Sequence, residues 1–595
     1  MKAVSKLTAA ARAAKKAAVT AGNIAKDLCA PIYDGPGREK FFSRQHLDRV
    51  IDSYTPIVRE DGKAAFSKQK AKKLANDFWY GVPHGERRLG DLYIGDTGIT
   101  RHREWRGVVD TNYYFTVWLR LLGLIGRTLA QGNIYFLKGL WRYRWMETYL
   151  SGISWVDRGN EGLRGEALRA STLHFIAMFD SSVQQLNAQF LADANLHGGK
   201  RNDRWYKTLQ HDETVPGHIA YGFPELYDDV CVQLTTCFLQ NHVNQQTIPW
   251  YIDAVESVGL APDACSLCAA ESGLCVRDDY PDFSPCFVSN NMACDGSVGT
   301  SILQELYFRK PFHSFPAPMR HDEEELHQYT IDEFLECIEF MEKHLNMKWD
   351  WDTFYKRIEK FNDQTRFELE KWDVAAKTSS SPVSSVAQAL YRIFYFYVGD
   401  RPIFHKTDRK VARIMERCVR RNIQTFPMTR HRALVWSCAP LYYSYITTWL
   451  YTCWGINVVI NMDSLMGHNI IDTSDRDRCL LDFAKMYEKG AMRTHAVGGY
   501  EHFLEVFDTM EQFDCDMVIM FDQVACKGAQ ELHGVFEDEY RRRGVHAIWV
   551  PHELLDHRTV ERAEMRKAVN DYMFTVMHEE PLDPSLLEID DSRGW

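Results

Sequence analysis

The sequence has no run of about 20 apolar residues, which is what a helix needs to cross a bilayer. Its most apolar and aromatic stretch, residues 115–146, is interrupted by Arg120, Arg127 and Lys138 and is expected to be a buried or interfacial helix, with no membrane span. It also lacks the Gly-rich G-x-x-x-x-G-K-[ST] loop that cradles nucleotide phosphates, and Asp96-Thr97-Gly98-Ile99-Thr100 is only a lone short turn. Basic charge is in deficit: Lys and Arg number 70 against 81 Asp and Glu, a net charge of −11. No stripe of Lys and Arg interleaved with aromatics offsets it, which excludes nucleic acid as a partner. The first 26 residues are basic and Ala-rich but lack the apolar core of a signal peptide, and are expected to form a solvated terminal helix, with targeting or partner docking as the alternative. Without a secretory signal the expected location is cytoplasmic. The 15 cysteines are then not a disulfide framework.

What is present is the composition of a folded protein, 45% hydrophobic and 25% charged over 595 residues, too long for one ordinary core. Residues 1–234 are dominated by helical patterns with aromatic joints such as Asp77-Phe78-Trp79-Tyr80. One helix is expected over 173–196, ended by Gly198-Gly199. From about Thr235 short apolar runs, turn residues and amphipathic helices alternate as in an open α/β sheet. Residues 284–289 and 311–316 are expected to be extended. Residues 321–348 should form a helix with Phe334, Ile338 and Met341 on one face, and residues 350–373 a second. The acidic run 322–325 suits that first helix's N-terminus better than a metal site with His321, Asp322 and His327. Thr378 to Ser381, followed by Pro382, marks a loop and a boundary near residue 385. Beyond it the β-prone runs 433–436, 458–461, 517–521 and 547–550, spaced for helical crossovers, predict a doubly wound parallel sheet, so the expected units are 1–234, 235–385 and 386–595. Ligands collect beyond the carboxyl ends of such strands.

Cysteines are distributed unevenly. Cys231, Cys237, Cys337, Cys418, Cys453 and Cys479 lie in apolar or helical patterns where a thiol packs as a small hydrophobe. In contrast, Cys265, Cys268, Cys275, Cys286 and Cys294 crowd one segment, with Asn291-Met-Ala-Cys294-Asp295-Gly296 at its end. Thiolates are the ligands of iron-sulfur chemistry. Taken alone, Cys265-x-x-Cys268 is also compatible with a redox pair or half a zinc site, but the second close pair of a zinc ribbon is missing. Cys526, in Gln523-Val-Ala-Cys526-Lys527-Gly528, follows the run 517–521 and so belongs at the carboxyl edge of a strand, with Lys527 placed to lower its pKa; a buried structural thiol is the alternative.

These three stretches, in this order, resemble the cluster-binding segments of the 2-hydroxyacyl-CoA dehydratase and benzoyl-CoA reductase family, and Trp349-Asp-Trp-Asp352, Phe361-Asn362 and Asp556-His-Arg558 resemble its body. The resemblance runs from about Thr235 to the C-terminus. It implies an α/β fold of two flavodoxin-like doubly wound parallel-sheet domains, joined here to a largely helical N-terminal region. It also implies a [4Fe-4S] cluster held by Cys265, Cys294 and Cys526, with Cys268 the main substitute for Cys265, and Cys275 and Cys286 structural. Three thiolates on a cubane leave one iron for water or substrate oxygen.

The implied reaction eliminates water from a 2-hydroxyacyl-CoA, whose β C–H the thioester does not acidify and ordinary base catalysis does not serve. An electron added to the thioester gives a ketyl radical anion, hydroxide leaves, the β proton becomes acidic and the electron is recovered. The implied partners are the acyl-CoA substrate, a homologous second dehydratase subunit and a separate ATP-hydrolysing iron-sulfur activator. Acid and base groups are not assigned: Glu271, Asp295 and Lys527 adjoin the expected ligands but also fit a helix residue, a turn and a neighbouring cation. Gly498-Gly499 after His495 is a loop or a backbone site for CoA phosphates. The alternatives are a benzoyl-CoA reductase-type subunit, a non-catalytic cluster-bearing or structural subunit, and a zinc scaffold.

Overall fold

The computed structural model describes most of residues 163–181, 208–231, 247–316 and 324–588, with short gaps. The expectations for residues 1–26, 77–80, 96–100, 115–146 and 198–199 fall outside the described residues. Of the helix expected over 173–196, residues 173–178, 180 and 181 are described and helical, and the helix begins earlier, at residue 165.

Two four-stranded parallel sheets organise the chain. The first has strands β1 (Thr208–His211), β2 (Asp228–Cys231), β3 (Phe287–Ser289) and β4 (Phe312–Ser314) in the order β2-β1-β3-β4. The second has β5 (His431–Trp436), β6 (Ile456–Asn461), β7 (Met517–Gln523) and β8 (His546–His552) in the order β6-β5-β7-β8. Each reverses direction beside its first strand, the flavodoxin-like order, so the fold is a pair of doubly wound α/β sheets. The first sheet reaches back past residue 234, because β1 and β2 precede it. Their sequences, TLQH and DDVC, are four residues each with no apolar run, so they carry no strand signal at the level of composition.

Helices α1 (Thr247–Glu256) and α2 (Ser266–Val276) connect β2 to β3, and α3 (Asp295–Phe308) connects β3 to β4. Between the sheets come α4 (Glu324–Leu345), α5 (Trp351–Lys377), α6 (Ser385–Val398) and α7 (Pro402–Arg421); α8 (Arg476–Glu488) and α9 (Gly499–Gln512) join β6 to β7, α10 (His533–Arg543) joins β7 to β8, and α11 (Arg562–Tyr572) follows. Every strand run expected after residue 385 is a strand. The period-2 alternation explains how both faces of the second sheet are covered. Ala433, Val435, Met517, Ile519 and Phe521 pack with Trp449, Trp454, Met565 and Val569 on one face. Leu434, Trp436, Val518 and Met520 pack with Val506, Phe507, Met510 and Phe536 on the other.

The helix expected over 321–348 forms as α4, with Phe334, Ile338 and Met341 buried and Glu324 and Glu325 in its first turn. His327 is not free for a metal: its Nδ1 lies 2.7 Å from Glu488 Oε2 on α8, and Thr330 donates to the same carboxylate at 2.6 Å. Trp349-Asp-Trp-Asp352 starts α5, where Asp350 caps the N–H groups of Asp352 and Thr353 at 3.3 and 3.2 Å. Asn362 on α5 exchanges two hydrogen bonds with the backbone of Ile471, at 2.8 and 2.9 Å, pinning the segment that follows β6.

His218, in the loop between β1 and β2, is fully buried, edge-on to Phe361 at 4.2 Å and beside Tyr221 at 4.8 Å. Burial, with the Arg392 guanidinium second, pushes its pKa down from 6.5 to about 3. The folded state therefore favours neutral imidazole. The associated stability is present above pH 6.5 and is lost as pH falls from there toward 3, at up to about 1.4 kcal/mol per pH unit. His218→Leu is expected to remove that slope. Urea titrations of both proteins at pH 7, 6 and 5 should show the wild type losing its advantage over the variant steadily on acidification.

Candidate functional site

In a parallel sheet every strand ends, and every returning helix begins, at the carboxyl edge. Helix α2 descends from that edge of the first sheet toward β3, and α3 begins there after β3. In the second sheet β7 runs into Gln523 and then Cys526, and β8 into His552 and Glu553. The two edges face each other across the start of α2.

Helix α2, SLCAAESGLCV, is buried along its length from Ser266 to Cys275. It comes close to α1 at Gly273, where an added Cβ would lie 2.1 Å from the Tyr251 carbonyl oxygen. Against α3, Thr300 Oγ1 donates to the Cys268 carbonyl at 3.3 Å and Ser272 Oγ to Thr300 Oγ1 at 3.4 Å. The N-cap of α2 is Cys265, whose side chain makes no capping bond. Ser, Thr, Asp or Asn would normally accept from the first-turn N–H groups there. The missing acceptor comes from the other sheet: Ser266 N–H donates to Glu553 Oε1 at 3.2 Å. Glu553 is 2% exposed and accepts four N–H bonds, the others from Gln523 Nε2 at 3.4 Å and from the backbones of Leu555 and Asp556 at 2.9 and 3.0 Å. A carboxylate at a helix N-terminus also favours the helix dipole. Ser266 Oγ accepts from Leu555 N–H at 3.0 Å. Arg558 closes the joint from outside, bridging Asp556, at 2.7–3.1 Å, and Asp253 on α1, at 2.7 Å.

Gln523 touches Cys265 with its side chain and Cys526 with its backbone. Its Nε2 donates to Cys265 Sγ at 3.3 Å, and its carbonyl accepts from Cys526 N–H at 2.9 Å. Cys265 and Cys526 are both half-buried. The other thiols of the cysteine-rich segment differ: Cys268, Cys275 and Cys286 are buried in or against the core, and burial pushes the Cys286 pKa up to about 12, which keeps it a neutral thiol. Cys337, Cys418, Cys453 and Cys479 are fully buried, as small apolar side chains are. Cys294 and Lys527 fall outside the described residues, as does the side chain of Asp295 at the start of α3. Glu271 is buried inside α2, not at its exposed end. His495 and Gly498 are also outside, and Gly499 opens α9.

Among the described residues no three His, Cys, Asp or Glu side chains gather as a metal site requires. Cys265 meets the carboxyl end of β7 through Gln523, Cys526 lies three residues beyond Gln523 in the chain, and in sequence Cys294 follows β3 as Cys526 follows β7. A thiol donor set of this kind, with an amide N–H aimed at one sulfur, is chemically suited to an iron-sulfur cluster. Sequence reasoning missed Glu553 and the part played by Gln523. A Glu after a strand carries no local signal, since its function comes from a helix 287 residues earlier in the chain.

The fold and site together define a paired α/β protein in which the Cys265 end of α2 meets the carboxyl edge of the second sheet. The family model described as 2-hydroxyglutaryl-CoA dehydratase, D-component, matches residues 242–570, more than half of the chain, and the chain belongs to this family of 2-hydroxyacyl-CoA dehydratase components. No curated protein matches it. Among the described residues no helix is long and apolar enough to cross a membrane.

Proposed function

We propose that the chain is the iron-sulfur subunit of an ATP-activated dehydratase that eliminates water from an (R)-2-hydroxyacyl-CoA, with Cys265, Cys294 and Cys526 holding a [4Fe-4S] cluster. When bound, the cluster supplies and recovers the single electron by which a ketyl radical makes the otherwise inert β C–H acidic. The observation that supports this best is the bond from the Gln523 side chain, at the carboxyl end of β7 and three residues before Cys526 in the same turn, to the Cys265 sulfur. The chain's own residues fix that geometry. Glu553 caps α2 so that the cap position is free to carry a thiol, Gln523 holds the thiol's sulfur, and Arg558 ties the outer rim to α1. Both thiols being half-buried leaves the site reachable by the acyl end of a substrate. Electron supply and ATP hydrolysis belong to a separate activator, and a homologous second subunit completes the enzyme in the cytoplasm.

The test is turnover of (R)-2-hydroxyacyl-CoA by the anaerobically purified protein with second subunit, activator, ATP and reductant. Enoyl-CoA is expected to form with electrons used in catalytic amount. Electron consumption equal to product would instead identify the benzoyl-CoA reductase-type reaction. Protein holding zinc and no iron would overturn the cluster assignment altogether.

A further inference from the structure

The contact between Gln523 and Cys265 bears on more than placement. A glutamine amide has one accepting and one donating end, and which faces a sulfur depends on what else surrounds it. Here the neighbour is Glu553, whose two oxygens already accept from the backbones of Ser266, Leu555 and Asp556, so it presents only acceptors. The Gln523 Nε2 lies 3.4 Å from Glu553 Oε1 and 3.3 Å from Cys265 Sγ. Its two N–H bonds suffice for both, and turning the amide over would set its oxygen against a carboxylate and a sulfur together. Gln523 is 5% exposed, so water does not compete for those bonds.

From this geometry we infer that Gln523, oriented by Glu553, is a positioning residue that donates an N–H···S bond to the Cys265 thiolate and thereby raises the reduction potential of a cluster held there. The inference rests on the cluster reading above. Hydrogen bonds to the sulfurs are among the factors that set cluster potentials, because they stabilise the extra negative charge of the reduced state. Glu553 acts through Gln523 and through the α2 cap. It gives one buried carboxylate two tasks, closing the joint between the sheets and setting which end of the amide the thiol meets.

The test is an EPR-monitored redox titration of anaerobically purified wild type, Gln523→Met, which keeps the side chain's length without its donors, and Gln523→Leu, with iron, acid-labile sulfide and thermal melting measured on the same samples. Both variants are expected to melt near wild type and to titrate at a more negative potential. At the wild-type midpoint their ratio of oxidised to reduced cluster should rise about tenfold, or about 59 mV for a one-electron couple. A variant with full iron and the wild-type midpoint would overturn the inference. Loss of iron from both folded variants would also overturn it, showing a role in holding the cluster in place of one in setting its potential. Wild type without iron would overturn the underlying cluster reading, a result distinguishable from the other two.

Discussion

Cys526→Ala and Cys265→Ala, each purified without oxygen, are expected to lose most of their iron and acid-labile sulfide and all dehydration activity, whereas Cys268→Ala and Cys286→Ala keep both. The contrast follows from where the sulfurs sit. Cys265 and Cys526 are half-buried at facing strand and helix ends, so their sulfurs are open to a ligand as well as to the protein. Cys268 is 9% exposed, two residues into the packed part of α2, and Cys286 is fully enclosed before β3 with its thiol held neutral. Metal binding needs a thiolate, and a neutral thiol in an apolar core is a poor donor. About four iron per chain in the wild type, with an EPR signal after reduction, is the reference state. Retention of iron in Cys265→Ala with loss in Cys268→Ala would move the first ligand one helical turn along α2. Retention in Cys526→Ala would detach the second sheet from the site.

The second large effect concerns a glycine. Gly273→Ala in a helix interior would ordinarily gain about 1 kcal/mol, because Ala is the better helix former. Here the sign reverses. The new Cβ would sit 2.1 Å from the Tyr251 carbonyl oxygen and 2.5 Å from its carbonyl carbon, which are backbone atoms of α1 and cannot rotate away. Relief requires α1 and α2 to separate, and overpacking of this kind costs about 1–3 kcal/mol or more. The movement reaches the site, because α2 carries Cys265 at its first end and Ser266 bonded to Glu553. Gly273→Ala is therefore expected to lower the urea midpoint and also to reduce iron retention in the protein that remains folded. A variant as stable as wild type would show that the close crossing of α1 and α2 is not rigid.

Much of the architecture is legible in the sequence. The strands of the second sheet are short β-prone apolar runs spaced for helical crossovers, and the helical periods over 321–348 and 350–373 form as α4 and α5. The first sheet was read only in part: β3 and β4 adjoin Pro and turn residues, while β1 and β2 are short and polar and are defined by pairing with a neighbour rather than by their own composition. The carboxyl-edge position of Cys526 followed from the run before it. That the chain belongs to a dehydratase family was also visible in three short cysteine segments, since ligand chemistry imposes residue identity at the place where it acts.

Periodicity and residue chemistry are local properties, so the alternating α/β pattern and the uneven crowding of the thiols are written in the chain itself. The tertiary structure alone decided which partner completes each of them. A helix capped by Cys265 is unsatisfied until Glu553 arrives from the other sheet, and the donating end of Gln523 is chosen only when that carboxylate and the Cys265 sulfur face it together. Hydrogen bonds between groups 258 and 287 positions apart leave no trace in sequence spacing, so this part of the site emerges only when the two sheets meet.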